Sequence, residues 1–151
     1  MRIDVQRVSP AARQAMMGLQ GYVNACGLER SLLLLVQLRA SEINGCAFCI
    51  AMHATEARAA DERQERLDLL SAWREADIFT AREQAALAWT EAVTLVATDH
   101  VPDAVYNEAR QHFSEKELTD LTMAIIAING WNRLNVAFRR PPAIARKTLA
   151  A

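Results

Sequence analysis

Apolar residues recur at i, i+3 and i+4 along nearly every segment of this 151-residue chain, and no stretch alternates apolar and polar residues between turn signals. That spacing aligns side chains on one face of an α-helix and scatters them on a strand, so the periodicity predicts an all-α fold. A chain of this length buries roughly 70% of its unfolded surface, enough for one sizeable core. The expected architecture is a single-domain bundle of about six or seven helices spanning residues 1–151.

Punctuation divides the pattern. Ser9 before Pro10 reads as an N-cap with proline at the first helical position, opening a helix that Gly27 closes. A second helix starts near Glu29 and carries apolar residues on several faces, as expected for a helix buried around most of its circumference. Asn44 and Gly45 interrupt it, Cys46 to Ala60 reads as the next helix, and Glu62 to Glu75 as another, with Leu67, Leu70 and Trp73 in phase. Thr80 with Glu83 and Ser114 with Glu117 fit capping boxes, and Pro102 starts a further helix. The last helix should carry Leu118, Leu121, Ile125, Ile128 and Leu134 and stop before Pro141 and Pro142.

Seventeen basic residues against eighteen acidic ones leave a formal charge of −1, so no global field draws the chain to nucleic acid or anionic lipid. Apolar runs such as Leu32 to Val36 fall far short of the ~20 residues that span a bilayer. The N-terminus opens with Arg2, Asp4 and Arg7 rather than an apolar signal segment, and the expected location is cytoplasmic. In that compartment three cysteines point to catalysis, metal binding or simple burial rather than a disulfide framework.

Their spacing carries the chemistry. At 100° per residue, Glu42, Cys46, Cys49 and His53 fall within about 60° of one another, a single stripe. Helical residues three apart lie about 5–6 Å from each other, inside the Cα window for a disulfide, so Cys46 and Cys49 can close and reopen a bridge with little backbone motion. His53 stands one turn from Cys49 but about 10 Å of axial rise from Cys46, so the imidazole serves Cys49. A helix N-terminus and a nearby imidazolium lower a thiol pKa, which makes Cys49 the candidate nucleophile and Cys46 the resolving thiol. Glu42, about 16 Å of rise from His53 on a straight helix, is a candidate catalytic carboxylate only if the Asn44–Gly45 break redirects it.

The run from Arg39 to Cys49, followed by Met52 and His53, resembles the carboxymuconolactone decarboxylase superfamily, and within it the alkyl hydroperoxidase D-like branch. The resemblance extends through Glu83, Leu87, Ala88 and Trp89 to Asn129 and Trp131–Leu134. It implies an all-helical subunit that assembles into a homo-oligomer, a trimer or hexamer. It also implies antioxidant peroxidase chemistry in which Cys49 forms a sulfenic acid, Cys46 resolves it, His53 relays a proton, and an external dithiol or protein disulfide donor recharges the pair. Such relatives carry a relay glutamate twelve residues before the first cysteine. Here that position is Leu34, so either Glu42 or a carboxylate from another helix takes its place.

Three other readings stay open. The same stripe suits a protein-disulfide reductase or an adaptor for another peroxidase. Cys46, Cys49 and His53 also offer three zinc ligands, although no second ligand pair follows. Inert buried thiols are the third. The expected site uses no cofactor and no metal. Cys26 reads as a small buried apolar group, His100 and His112 as helix-terminal polar residues, Trp89 and Trp131 as core or subunit contacts, and Arg133 with Asn129 and Asn132 as a structural polar group.

Overall fold

The structure, a computed structural model, describes residues 1–142, so the end of the unit expected over 1–151 lies outside the described residues. These residues form helices α1 (Val5–Val8), α2 (Pro10–Ala25), α3 (Arg30–Ile43), α4 (Ala47–Ala59), α5 (Gln64–Asp68), α6 (Ala81–Thr94), α7 (Val96–Asp99), α8 (Asp103–His112) and α9 (Glu115–Ala137), with a 3₁₀ turn at Leu70–Ala72. Strands are absent among the described residues, and the long helices match the expected bundle. The additions to it are single turns such as α1 and α7, too short to leave a periodic signature.

Helix α3 is the axis of the fold, packing against α4, α6 and α9. Its whole stretch from Leu32 to Leu38 is buried, and so are Ala40 and Ser41. Each fully buried leucine contributes roughly 2 kcal/mol, so a helix apolar all round is worth its amphipathic cost only at the centre. One core layer joins Val23, Leu33, Val36, Leu121 and Ile125 across α2, α3 and α9. A second, on the other side of α3, holds Leu34, Leu35, Leu38, Ala57, Leu70 and Leu87. A small third group, Ala40, Cys46, Cys49 and Ile128, lies against Phe48 and Trp131.

The caps follow the sequence closely. Both capping boxes form: Thr80 Oγ1 accepts from Glu83 N at 3.2 Å while Thr80 N donates to Glu83 Oε2 at 2.8 Å, and Ser114 and Glu117 repeat the geometry. Pro10 occupies the first turn of α2, and Phe138 caps α9 ahead of Pro141. The expected continuous helix over Glu62–Glu75 is corrected to α5 followed by the 3₁₀ turn. Leu67, Leu70 and Trp73 are spaced by three, the 3₁₀ repeat, and all three are buried. Arg66 holds the break by bonding Glu62, Glu83 and the carbonyl of Ile78, and Trp73 Nε1 donates to Glu91 at 2.8 Å.

Candidate active site

The site begins where α3 ends. Asn44 caps the helix and Gly45 follows at φ +63°, a left-handed conformation natural to glycine. Gly45 N donates to Glu42 O and Cys46 N to Ser41 O, the paired bonds of a Schellman motif. The residue that leaves this motif, Cys46, is at once the N-cap of α4, its sulfur accepting from Cys49 N at 3.4 Å. The sequence Asn-Gly-Cys therefore places a sulfur at a helix N-terminus, where backbone N–H groups and the helix dipole favour a thiolate.

Cys46 and Cys49 are joined as a disulfide, with Cα atoms 5.3 Å apart. Asn135 of α9 donates from Nδ2 to Cys49 Sγ at 3.3 Å. His53, one turn further along α4, is 5% exposed and faces Glu56 Oε2 at 3.1 Å through Nδ1. A carboxylate only accepts, so Nδ1 carries the proton and Nε2 is left with its lone pair. That Nε2 is buried and has no hydrogen-bond partner among the described residues. Burial pushes the His53 pKa below its ordinary value, outweighing the pull of Glu56, and the Arg30 charge adds to the depression. The ring is thus a neutral base at neutral pH. This holds with the cysteines joined as a disulfide, where desolvation disfavours the charged ring.

The single stripe of four residues is broken. The Schellman turn puts Glu42 on α3, Cys46 at the N-cap of α4 and Cys49 and His53 within α4, and Glu42 pairs with Arg39 at 3.3 Å. Burial raises its pKa against the pull of Arg39. Leu34, at the position of the relatives' relay glutamate, sits in the core layer between α3 and α4. The carboxylate bonded to His53 is neither Glu42 nor one from another helix but Glu56 on α4 itself. Extending the stripe by one turn, from His53 to i+3, finds it in the sequence. Asn135 carries no such signal, since 86 residues separate it from Cys49.

Cys49, His53, Glu56 and Asn135 line a cavity of about 350 Å³, walled also by Phe48, Met52 and Trp131. Cys46 and Glu42 are outside that lining. Trp131, expected in the core or at a subunit contact, is half-buried and reaches the cavity, whereas Trp89 is buried and bonds Thr122 at 2.9 Å. Behind the thiols, Asn44 Nδ2 lies 2.9–3.0 Å from acceptors on Asn129 and Asn132, and Asn132 reaches Ser41 at 3.1 Å, which ties α9 to the turn. Arg133 bonds Asn129 at 2.7 Å. Cys26 is a partly buried free thiol, His112 pairs with Glu108, and His100 caps α7 with positive φ. Among the described residues no group of three or more histidine, cysteine or acidic side chains is arranged to hold a metal ion, and no helix is long and apolar enough to cross a membrane.

Residues 10–92 match the carboxymuconolactone decarboxylase family. The uncharacterized protein YdfG of Bacillus subtilis (strain 168) is 37% identical over 136 residues, which are 90% of this chain and 92% of that one. Among solved structures, an Agrobacterium tumefaciens protein of unknown function, put forward as an antioxidant defence protein AhpD, superposes with a TM-score of 0.93 at 43% identity, covering 95% of this chain and 99% of that one. The debrominase Bmp8 superposes with a TM-score of 0.79 at 20% identity, over 89% of this chain and 73% of its own, a likeness of fold alone.

Proposed function

The chain belongs to the carboxymuconolactone decarboxylase family, and from that premise we propose that it is a thiol-dependent oxidoreductase reducing hydrogen or organic peroxides at Cys49. The observation that carries this reading is one cavity whose lining brings together the Cys49 sulfur, its buried amide donor Asn135 and a neutral imidazole whose buried Nε2 has no hydrogen-bond partner among the described residues. Cys49, which lines the cavity, is the nucleophile, and Cys46, which does not, is the resolving thiol.

In the reduced protein, His53 Nε2 takes the proton of the Cys49 thiol, and Asn135 Nδ2 stabilises the thiolate, while the start of α4 favours the anionic form of the Cys46 sulfur. The sulfur attacks the outer peroxide oxygen. The O–O bond breaks as the S–O bond forms, the sulfur loses two electrons, and the leaving alkoxide or hydroxide takes the proton back from His53. Cys46 then attacks the sulfenic acid, expelling water and closing the disulfide. An external dithiol reopens it by exchange, returning two electrons and two protons. Glu56 holds the ring's orientation through Nδ1 and stands in for the relay glutamate that the resemblance placed at the position of Leu34.

The whole chain is read as one such unit over 1–151, working in the cytoplasm as a trimer or hexamer. Large apolar side chains left exposed, among them Leu95, Val96, Ile126 and Val136, support assembly, and light scattering that returns a monomer at micromolar concentration refutes it. The deciding experiment treats the reduced protein with one equivalent of peroxide and maps each cysteine by mass spectrometry. The expected product is the Cys46–Cys49 disulfide, with Cys46→Ser halting at the Cys49 sulfenic acid and Cys49→Ser losing peroxide turnover while keeping its fold. Turnover retained in Cys49→Ser overturns the assignment.

A further inference from the structure

Three guanidinium groups line the cavity that holds Cys49: Arg13 from α2, Arg30 at the start of α3 and Arg140 beyond α9. None has an ion-pair partner among the described residues, whereas Arg39, Arg66, Arg74, Arg82 and Arg110 all do. Arg30 and Arg140 are exposed while Cys49 and His53 are buried, so the charges stand at the mouth and the sulfur on the floor. Arg140 stacks over the ring of Phe48, 4.0 Å from its centroid, which steadies it beside the residue that precedes Cys49. The one carboxylate in the lining, Glu56, is bonded to His53.

A cavity mouth of one sign with low-dielectric walls concentrates ligands of the other sign, and guanidinium groups suit carboxylates by their paired N–H donors. Phe48, Met52 and Trp131 supply apolar wall between mouth and floor. At about 350 Å³ the space suits a small organic molecule. We propose that the preferred oxidant is an organic hydroperoxide bearing a carboxylate, its acid group held by Arg13, Arg30 and Arg140 and its peroxide end directed at Cys49. This deepens, and rests on, the peroxidase reading: the O–O bond breaks at the Cys49 sulfur as above, and the product is the corresponding carboxylate-bearing alcohol.

The test separates binding from turnover. 4-Isopropylbenzoate and its neutral amide are titrated into the protein by calorimetry, and 4-carboxycumene hydroperoxide is compared with cumene hydroperoxide for the rate of Cys49 oxidation. The acid is expected to bind about tenfold more tightly than the amide, with added salt weakening the acid alone. Arg13→Gln and Arg30→Gln should each lower affinity for the acid about three- to tenfold and narrow the rate difference between the two hydroperoxides, whereas Arg58→Gln, outside the cavity, should do neither. Equal binding of acid and amide, or indifference to both cavity substitutions, overturns the proposal while leaving the peroxidase reading intact. If the acid binds as expected but neither hydroperoxide oxidises Cys49, the peroxidase reading falls, the proposed oxidant falls with it, and only the anion-binding mouth survives.

Discussion

Asn135 donates to the sulfur of Cys49 across the interface of α9 and α4, at 3.3 Å and with both residues buried. A neutral donor aimed at a sulfur favours its anionic form, and a hydrogen bond to a charged group is worth about 1.5–3 kcal/mol. Asn135→Ala should therefore raise the pKa of the Cys49 thiol in the reduced protein and slow its alkylation at neutral pH. The rate of iodoacetamide labelling of Cys49 against pH reads this directly, and an unshifted profile removes Asn135 from the site.

The bond from His53 to Glu56 combines orientation and charge, and two substitutions separate them. Glu56→Gln keeps an acceptor for Nδ1–H but removes the charge that pulls the His53 pKa upward. The ring's titration, followed by proton NMR, should move to still lower pH with its tautomer kept. Glu56→Ala should also free the ring to turn, so peroxide turnover falls further than in Glu56→Gln. Equal activity in the two variants would mean that orientation contributes nothing.

The depressed pKa of His53 has a consequence for stability. The folded state holds the ring neutral where the unfolded chain, with its ordinary value of 6.5, already protonates it. In that interval the unfolded state binds more protons, so folding stability rises with pH. This contribution is full above the unfolded value and is lost as pH falls from about 6.5 toward the folded value. Urea denaturation across that range should show a positive slope that His53→Gln flattens. A slope unchanged by the substitution assigns the effect to other groups.

Leu34 stands where the resemblance called for a glutamate, yet it is 2% exposed and packed in the core between α3 and α4. Leu34→Glu should create no relay. A carboxylate buried there without a partner should instead destabilise the fold by about 3 kcal/mol or more, visible in chemical denaturation. A well-folded variant with faster peroxide turnover would falsify the account of Glu56 given above.

Glu42 is the remaining candidate carboxylate. It is tied to Arg39 and stands outside the cavity lining. Glu42→Gln should leave both the pH profile of Cys49 alkylation and the NMR titration of His53 where they are, at a stability cost below about 1 kcal/mol for a partly exposed pair. A shift in either profile returns Glu42 to the proton path.

The helices and their ends were legible because their causes are local. The two capping boxes, Pro10 in its first turn and the Asn44–Gly45 stop each act within about four residues, the reach of a helical hydrogen bond. The spacing of Cys46, Cys49 and His53 was readable for the same reason, and Glu56 follows from one more turn of that rule. The 3₁₀ turn at Leu70–Ala72 was not, since apolar residues three apart satisfy either helix until Arg66 and Trp73 find partners on α6. Neither the Asn135 contact, nor the neutral state of His53, nor the gathering of Arg13, Arg30 and Arg140 at one mouth has any local pattern. Each depends on distant elements of the bundle meeting around one desolvated space, and both desolvation and long-range contact are properties of packing rather than of spacing along the chain.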